Sequence, residues 1–231
     1  MKSFLQKALT LGLMATISMG AIFFNGFREM PALALPQAEI VQILSTVPVF
    51  IIVNGEGAPL TTAQSQNGQQ SERLVVFIYG SDAEAYLANQ DSLAEARVAS
   101  VWLSDLYERT RAQNSGGSAF AYIPNGAAVE AANELDEEFE RGVPLFVARQ
   151  DSGYLFVRQE DEQRVPMFFS RADLQNLLDR LEQSSPEAAA AVFVDVIPLE
   201  NVIRAMESDD AAALSQIRLF PASEVIDYLQ N

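Results

Sequence analysis

The sequence predicts an α/β (α+β) protein built from two pseudo-symmetric repeats, each a small sheet with helices, packed as one duplicated body. Three observations predict it. Val47-Pro48-Val49-Phe50-Ile51 returns 96 positions later as Val143-Pro144-Leu145-Phe146-Val147. At the same shift Gly57 is answered by Gly153, and Val98, Ser100-Val101, Leu103 and Leu106-Tyr107 by Val194, Val196-Ile197, Leu199 and Val202-Ile203. Each half also alternates short apolar runs with helix-periodic ones, the mark of strands interleaved with helices. A long unit seen twice is a duplication and not a solenoid, which needs three or more copies. Phe120 to Pro124 is answered by Ile217 to Pro221 at a shift of 97. The repeats are placed at 35–132 and 133–231, after a signal peptide at 1–34.

The elements follow in order. Pro36 to Ser45 reads as a short helix with Ile40, Ile43 and Leu44 on one face. Val47 to Val53 is apolar on both faces, as a buried strand is. Pro48 cannot donate to a ladder, so it stands at the strand's start or on an edge. Asn54-Gly55-Glu56-Gly57 signals a tight hairpin, with Ala58 to Thr62 returning, and the Gln- and Ser-rich stretch from Ala63 to Glu72 reads as an exposed loop. Leu74 to Tyr79 is the next strand. Ser81 and Glu84 have capping-box spacing and place a helix start at Ser81. Val98 to Leu103 reads as a strand and Ser104-Asp105 as the start of a helix. Asn114 to Ser118 is loop, and Phe120 to Ile123 is a strand stopped by Pro124. Gly126 to Arg141 shows a 4-3-4 apolar stripe of Ala128, Ala132, Leu135 and Phe139, with carboxylates on the other faces.

The second half repeats this order. It runs through a strand at Val143 to Arg149, a turn at Asp151-Ser152-Gly153, a return at Tyr154 to Arg158, and a strand at Val165 to Phe169. A helix follows, capped by Ser170 with Leu174, Leu177, Leu178 and Leu181 in one stripe. Strands at Val192 to Ile197 and Ile217 to Phe220, and helices at Leu199 to Met206 and Ser223 to Leu229, complete it.

Composition narrows the function. The chain of 231 residues carries 15 basic and 31 acidic residues, a formal charge of −16, which repels nucleic-acid phosphates and anionic headgroups. There is no cysteine and no histidine, so disulfides, thiol nucleophiles, ordinary zinc sites and a Ser-His-Asp arrangement are excluded. Lys2 and Lys7, the uncharged Ala8 to Phe24, and Ala32-Leu33-Ala34 have a signal-peptide layout, with cleavage expected after Ala34. An uncleaved N-terminal anchor is the alternative. Cleavage would remove Lys2, Lys7, Arg28 and Glu29, a net +2, leaving −18 and no lysine at all. Schiff-base and Ser–Lys chemistry then have no residue to use.

The remaining candidates are weak as catalysts. Asp136-Glu137-Glu138 and Glu140 read as a solvated face, because consecutive helical residues point apart and no loop shapes a cage. Gly55-Glu56-Gly57 lacks a third glycine and a following helix, so it is a turn and not a nucleotide fingerprint. Apolar surface is the stronger candidate, with fourteen phenylalanines and six tyrosines. A two-layer unit leaves one sheet face to cover, so either the halves cover each other or an apolar groove stays open for a client. Tyr154, Phe156, Met167 and Phe169 are expected to edge that groove as client-binding residues. No catalytic, cofactor-binding or metal residue is expected.

The signal layout, the doubled V-P-φ-F strand ending in a Gly turn, Val165-Pro166-Met167-Phe168-Phe169 followed by Asp173-Leu174, and the strand entering a helix at Val194 to Val202 together resemble one family. It is the Tic twenty-two-kilodalton family, the intermembrane-space component of the chloroplast inner-envelope translocon, with its cyanobacterial relatives. The resemblance implies a non-enzymatic, chaperone-like factor in protein transport and outer-membrane biogenesis. Its implied partners are unfolded clients and the periplasmic domains of an outer-membrane insertase, with no nucleic acid and with a membrane reached only through partners or an uncleaved N-terminus. A bacterial-style signal points to the cyanobacterial branch and the periplasm, with the thylakoid lumen second. The alternatives are a carboxylate-dependent envelope hydrolase, which needs two carboxylates about 5–10 Å apart, and a small-ligand or lipid-binding module.

Overall fold

Two mixed sheets, one from each half of the chain, carry the molecule. The computed structural model describes residues 34–66, 69–90, 93, 95–112, 120–139, 141–151, 153–159, 162–208 and 212–230. The first half runs α1 (Gln37–Leu44), β1 (Pro48–Val53), β2 (Thr61–Gln66), β3 (Gln69–Phe77), α2 (Gly80–Ala88), β4 (Arg97–Trp102), α3 (Leu103–Ala112), β5 (Phe120–Ile123) and α4 (Gly126–Leu135). The second runs β6 (Pro144–Gln150), β7 (Gly153–Tyr154), β8 (Val157–Gln159), β9 (Glu162–Phe168), α5 (Arg171–Ser184), α6 (Pro186–Ala190), β10 (Phe193–Pro198), α7 (Leu199–Met206), a 3₁₀ turn (Ala212–Gln216), β11 (Ile217–Phe220) and α8 (Ser223–Gln230).

Strand pairing is alike in the two sheets. In the first, β1 lies antiparallel to β3 and β4, and β3 lies parallel to β5. In the second, β6 lies antiparallel to β9 and β10, and β9 lies parallel to β11. Pro48 faces Trp102, and Pro144 faces Pro198. The closing hydrogen bonds match as well: Leu103 N donates to the Val47 carbonyl at 2.9 Å, and Leu199 N to that of Val143 at 2.8 Å.

Pairing fixes the faces. Leu145 and Val147 of β6 and Val143 just before it, with Val165 and Met167 of β9 and Phe169 just beyond it, join the first half in one continuous core. Helices α1, α3 and α7 contribute Leu44, Leu106 and Met206 to it. The opposite face of the second sheet carries Phe146, Ala148 and Phe168, which form a separate core under Ala132 of α4 and Leu174 of α5. The last helices cross over. α4, from the first half, covers the second sheet, while Tyr228 of α8, from the second half, sets its ring edge-on to Phe50 of the first at 5.2 Å.

Several local expectations change. The stretch from Ala63 to Glu72 is not a loop but largely hairpin, with Thr61 opposite Leu74 and Gln66 opposite Gln69. Backbone ladder bonds form without an apolar pattern, and that pattern was the only sequence signal for a strand. The return after Asn54 is a single bridge, Val53 to Pro59, because Pro59 brings no donor and the chain leaves to pair with β3. The second-half return likewise splits into β7 and β8, on β6 and β9. Helix α2 starts at Gly80 with no side-chain cap, and the Ser81 hydroxyl instead bonds Glu224 at 3.1 Å. Helix α3 begins at Leu103, directly off β4. Helix α4 stops at Leu135: carboxylates in a last turn oppose the helix dipole, and Asp136 Oδ1 accepts the Glu138 N–H at 3.0 Å. The cap of α5 is as read, with Asp173 N donating to Ser170 Oγ at 3.3 Å. Helix α6 carries too few residues for a periodic signal. Residues 1–33 and the loop at 114–118 lie outside the described residues.

Candidate functional site

The four residues expected to edge a groove fall into two places. Met167 and Phe169 are 3% and 2% exposed, inside the core shared by the two sheets. They line no open surface, because the first half already covers that sheet face. Tyr154 on β7 and Phe156 just after it are 41% and 44% exposed.

Around Tyr154 the structure builds a surface that the sequence reading did not assemble. Phe193 of β10 faces Arg149 of β6, and Arg149 faces Tyr154 of β7. Residues directly opposite each other share a sheet face, so Phe193, Arg149 and Tyr154 form one row across three strands. The Arg149 guanidinium lies 5.8 Å from the Phe193 ring centroid, and its Nε lies 2.5 Å from Asp195 Oδ2. Phe193, 54% exposed, is thus held upright by a cation that is itself anchored. On the other face of β10, Val196 and Pro198 join Phe139 to floor a shallow depression of about 350 Å³, with Asp136, Glu138 and Arg141 around it. One signal was in the sequence: Asp195 interrupts an otherwise apolar strand, and an acidic residue there implies that one strand face reaches solvent.

Among the described residues, the carboxylates around the buried Tyr79 are engaged in holding helices together. Asp82 and Asp173 open α2 and α5 and serve as anchors for the crossing helices. Asp82 accepts the Asn125 amide at 3.1 Å, while Asp173 takes the Ser223 N–H at 2.8 Å and its hydroxyl at 2.7 Å. Beside them the Tyr79 phenol is pushed upward by burial first, then by the charges of Glu224, Asp173 and Asp82. It stays a neutral donor, 3.5 Å from the Phe169 carbonyl oxygen. Burial, a hydrogen bond to Glu84 and that carboxylate's charge push the Tyr228 phenol up to about 12. No group of three or more carboxylates able to hold a metal occurs among the described residues. No helix among them is long and apolar enough to cross a membrane.

Fold and surface together define a scaffold of two packed sheets with a half-exposed apolar margin on the second. Comparison with known proteins gives its kinship. The profile of the Tic22-like family matches residues 6–230, so the chain belongs to the Tic22-like family. The solved structure of Anabaena Tic22 (protein transport) is similar with a TM-score of 0.70, at 23% identity, over 85% of this chain and 97% of that one. Tic22 from Plasmodium falciparum is similar with a TM-score of 0.64, at 17% identity, over 83% of this chain and 96% of that one. No curated protein sequence matches the chain.

Proposed function

We propose that this chain is a non-enzymatic, chaperone-like factor in protein transport and outer-membrane biogenesis, which binds unfolded client proteins and the periplasmic domains of an outer-membrane insertase. The observation that carries the reading is membership of the Tic22-like family along nearly the whole chain, with protein transport as the stated role of the Anabaena relative. The surface supports it. Tyr154, Phe156 and Phe193 stand out of a strongly acidic body, which can hold a sticky segment while keeping the complex soluble. The reading includes export by residues 1–34, residence in the periplasm, and two repeats at 35–132 and 133–231 descended from one unit. A urea-unfolded outer-membrane β-barrel protein, diluted with and without the purified chain, tests it by light scattering. The chain is expected to delay aggregation and to bind immobilised insertase domains. Failure in both assays overturns the proposal.

A further inference from the structure

Strand β10 is the outer strand of the second sheet. It pairs with β6 on one side, and among the described residues nothing hydrogen-bonds its other side. The direction of its backbone groups follows from one bond. Leu199 N donates to the Val143 carbonyl, which makes those two a hydrogen-bonded pair in line with Phe193 and Arg149. Pair types alternate along an antiparallel ladder. Phe193, Asp195 and Ile197 therefore turn their N–H and C=O groups toward β6, and Val194 and Val196 turn theirs outward.

Soluble proteins blunt such edges with lysine, proline, a bulge or a cover. The opposite edge of the same sheet is covered in part, since the Thr46 hydroxyl bonds the Leu219 carbonyl of β11 at 3.2 Å. β10 has no lysine, its one charged residue, Asp195, is paired with Arg149 of β6, its six pairs run without a bulge, and its proline, Pro198, comes at the end. Both of its faces are dressed for a neighbour. One continues the Phe193–Arg149–Tyr154 row; the other carries Val194 and Val196, half-buried on the second core, with Val196 lining the depression that Asp136 and Glu138 border together with the single cation Arg141. The chain's charge of −16 selects among occupants. A second copy would bring like charge against like charge, whereas a cationic segment is attracted.

We propose that the open edge of β10 takes up an extended segment of an unfolded polypeptide as an added strand. In that segment apolar residues alternate with Lys or Arg, the apolar set meeting the Phe193 face and the cations the Asp136–Glu138 side. This deepens the transport reading above and rests on it. Main-chain bonds to Val194 and Val196 supply affinity, and the two faces supply selection.

The test uses a labelled ten-residue peptide alternating valine with lysine, and the chain purified as it accumulates in cells, read by fluorescence anisotropy. The peptide with glutamate in place of lysine is expected to bind at least about tenfold more weakly. Val194→Pro removes an outward donor and no bond to β6, and is expected to weaken binding at least about tenfold, while Val194→Thr, which keeps the donor, changes it less than about threefold. If Val194→Pro does not fold, the wild-type chain is tested with a peptide N-methylated on two consecutive central residues, which loses a donor on each edge and is expected to bind at least about tenfold more weakly. Equal binding by Val194→Pro or by the methylated peptide overturns the inference. So does a self-associated chain whose dimer, and not its peptide binding, responds to Val194→Pro. If the chain delays client aggregation and Val194→Pro does so equally well, the edge inference falls and the transport reading stands; if the wild type does neither, both fall.

Discussion

Helices α2 and α5 occupy matching places, each leaving the second long strand of its sheet, yet they meet their crossing helices in opposite ways. At Gly80, the first residue of α2, an added Cβ would collide with the Tyr228 ring at Cε1, so the bulk sits on α8 and the space on α2. At the start of α5 stands Arg171, paired with Glu134 of α4 at 2.6 Å, while α4 brings the small Ala128, Ala131 and Ala132 to the sheet. The same crossing is thus made once by a large aromatic over glycine and once by small residues under an exposed ion pair. The first arrangement stores stability in packing, where substitutions are felt, and the second leaves it in the leucine stripe and core phenylalanines.

The largest expected effects come from the phenylalanines that anchor each sheet. Phe50→Ala and Phe146→Ala each delete a ring that is 0% exposed and should each cost about 3–5 kcal/mol in urea unfolding. Trp102, on β4, is the sole tryptophan and reports the first sheet. If the halves unfold together, Phe146→Ala shifts the Trp102 fluorescence transition as far as the circular dichroism transition. A shift in circular dichroism alone would show that the halves melt apart.

Next comes the glycine. Gly80→Ala forces Tyr228 aside and is expected to cost about 1–3 kcal/mol, restored in part by Tyr228→Ala in the same chain. Gly126→Ala, at the start of α4, meets nothing within 4 Å and should stabilise by about 0.4–1 kcal/mol. Thermal melts of the three variants order them.

A pH titration sharpens the same contrast. Burial first, then the hydrogen bond to Glu84, raises the folded-state value of Tyr228 to about 12; burial first, then the nearby Glu207 carboxylate, raises that of Tyr107 to about 12 against the opposing charge of Arg111. Folding favours the protonated phenols, so their contribution is fully present below the ordinary value of 10.0 and is lost as pH rises from there through about 12. Urea midpoints are expected to fall across that window, and Tyr228→Phe should make the fall shallower while costing under about 1 kcal/mol at neutral pH. The smallest effect belongs to Arg171→Ala. Its pair with Glu134 is exposed, and double-mutant cycles should give about 0.2–1 kcal/mol, vanishing in high salt.

What could be read from the residues was what periodicity encodes. The buried strands at Val47 and Val143, the Leu174–Leu181 stripe and the Ser170 cap all follow from local pattern, and the structure has them. The hairpin at Thr61–Gln66 was hidden because its ladder bonds belong to the backbone and leave no apolar trace. Of the candidate surface, only the exposure of its residues can be compared. Tyr154 and Phe156 are at the surface, but Met167 and Phe169 look the same in sequence and are buried by the other half, a fact of tertiary packing. The row through Arg149 and Phe193 depends on strand register across 44 residues of chain, which no local pattern carries.

The two outer strands give the most direct measurement. By the same ladder argument Val98 and Ser100 of β4 turn their backbone groups outward, as Val194 and Val196 of β10 do. But β4 opens on the charged Arg97 where β10 opens on Phe193. Amide hydrogen exchange with and without an unfolded outer-membrane client compares them in one experiment. The account predicts that the client slows exchange at Val194 and Val196 by at least about tenfold and leaves Val98 and Ser100 unchanged. Protection at β4 instead, or at neither strand while the client remains bound, would contradict it.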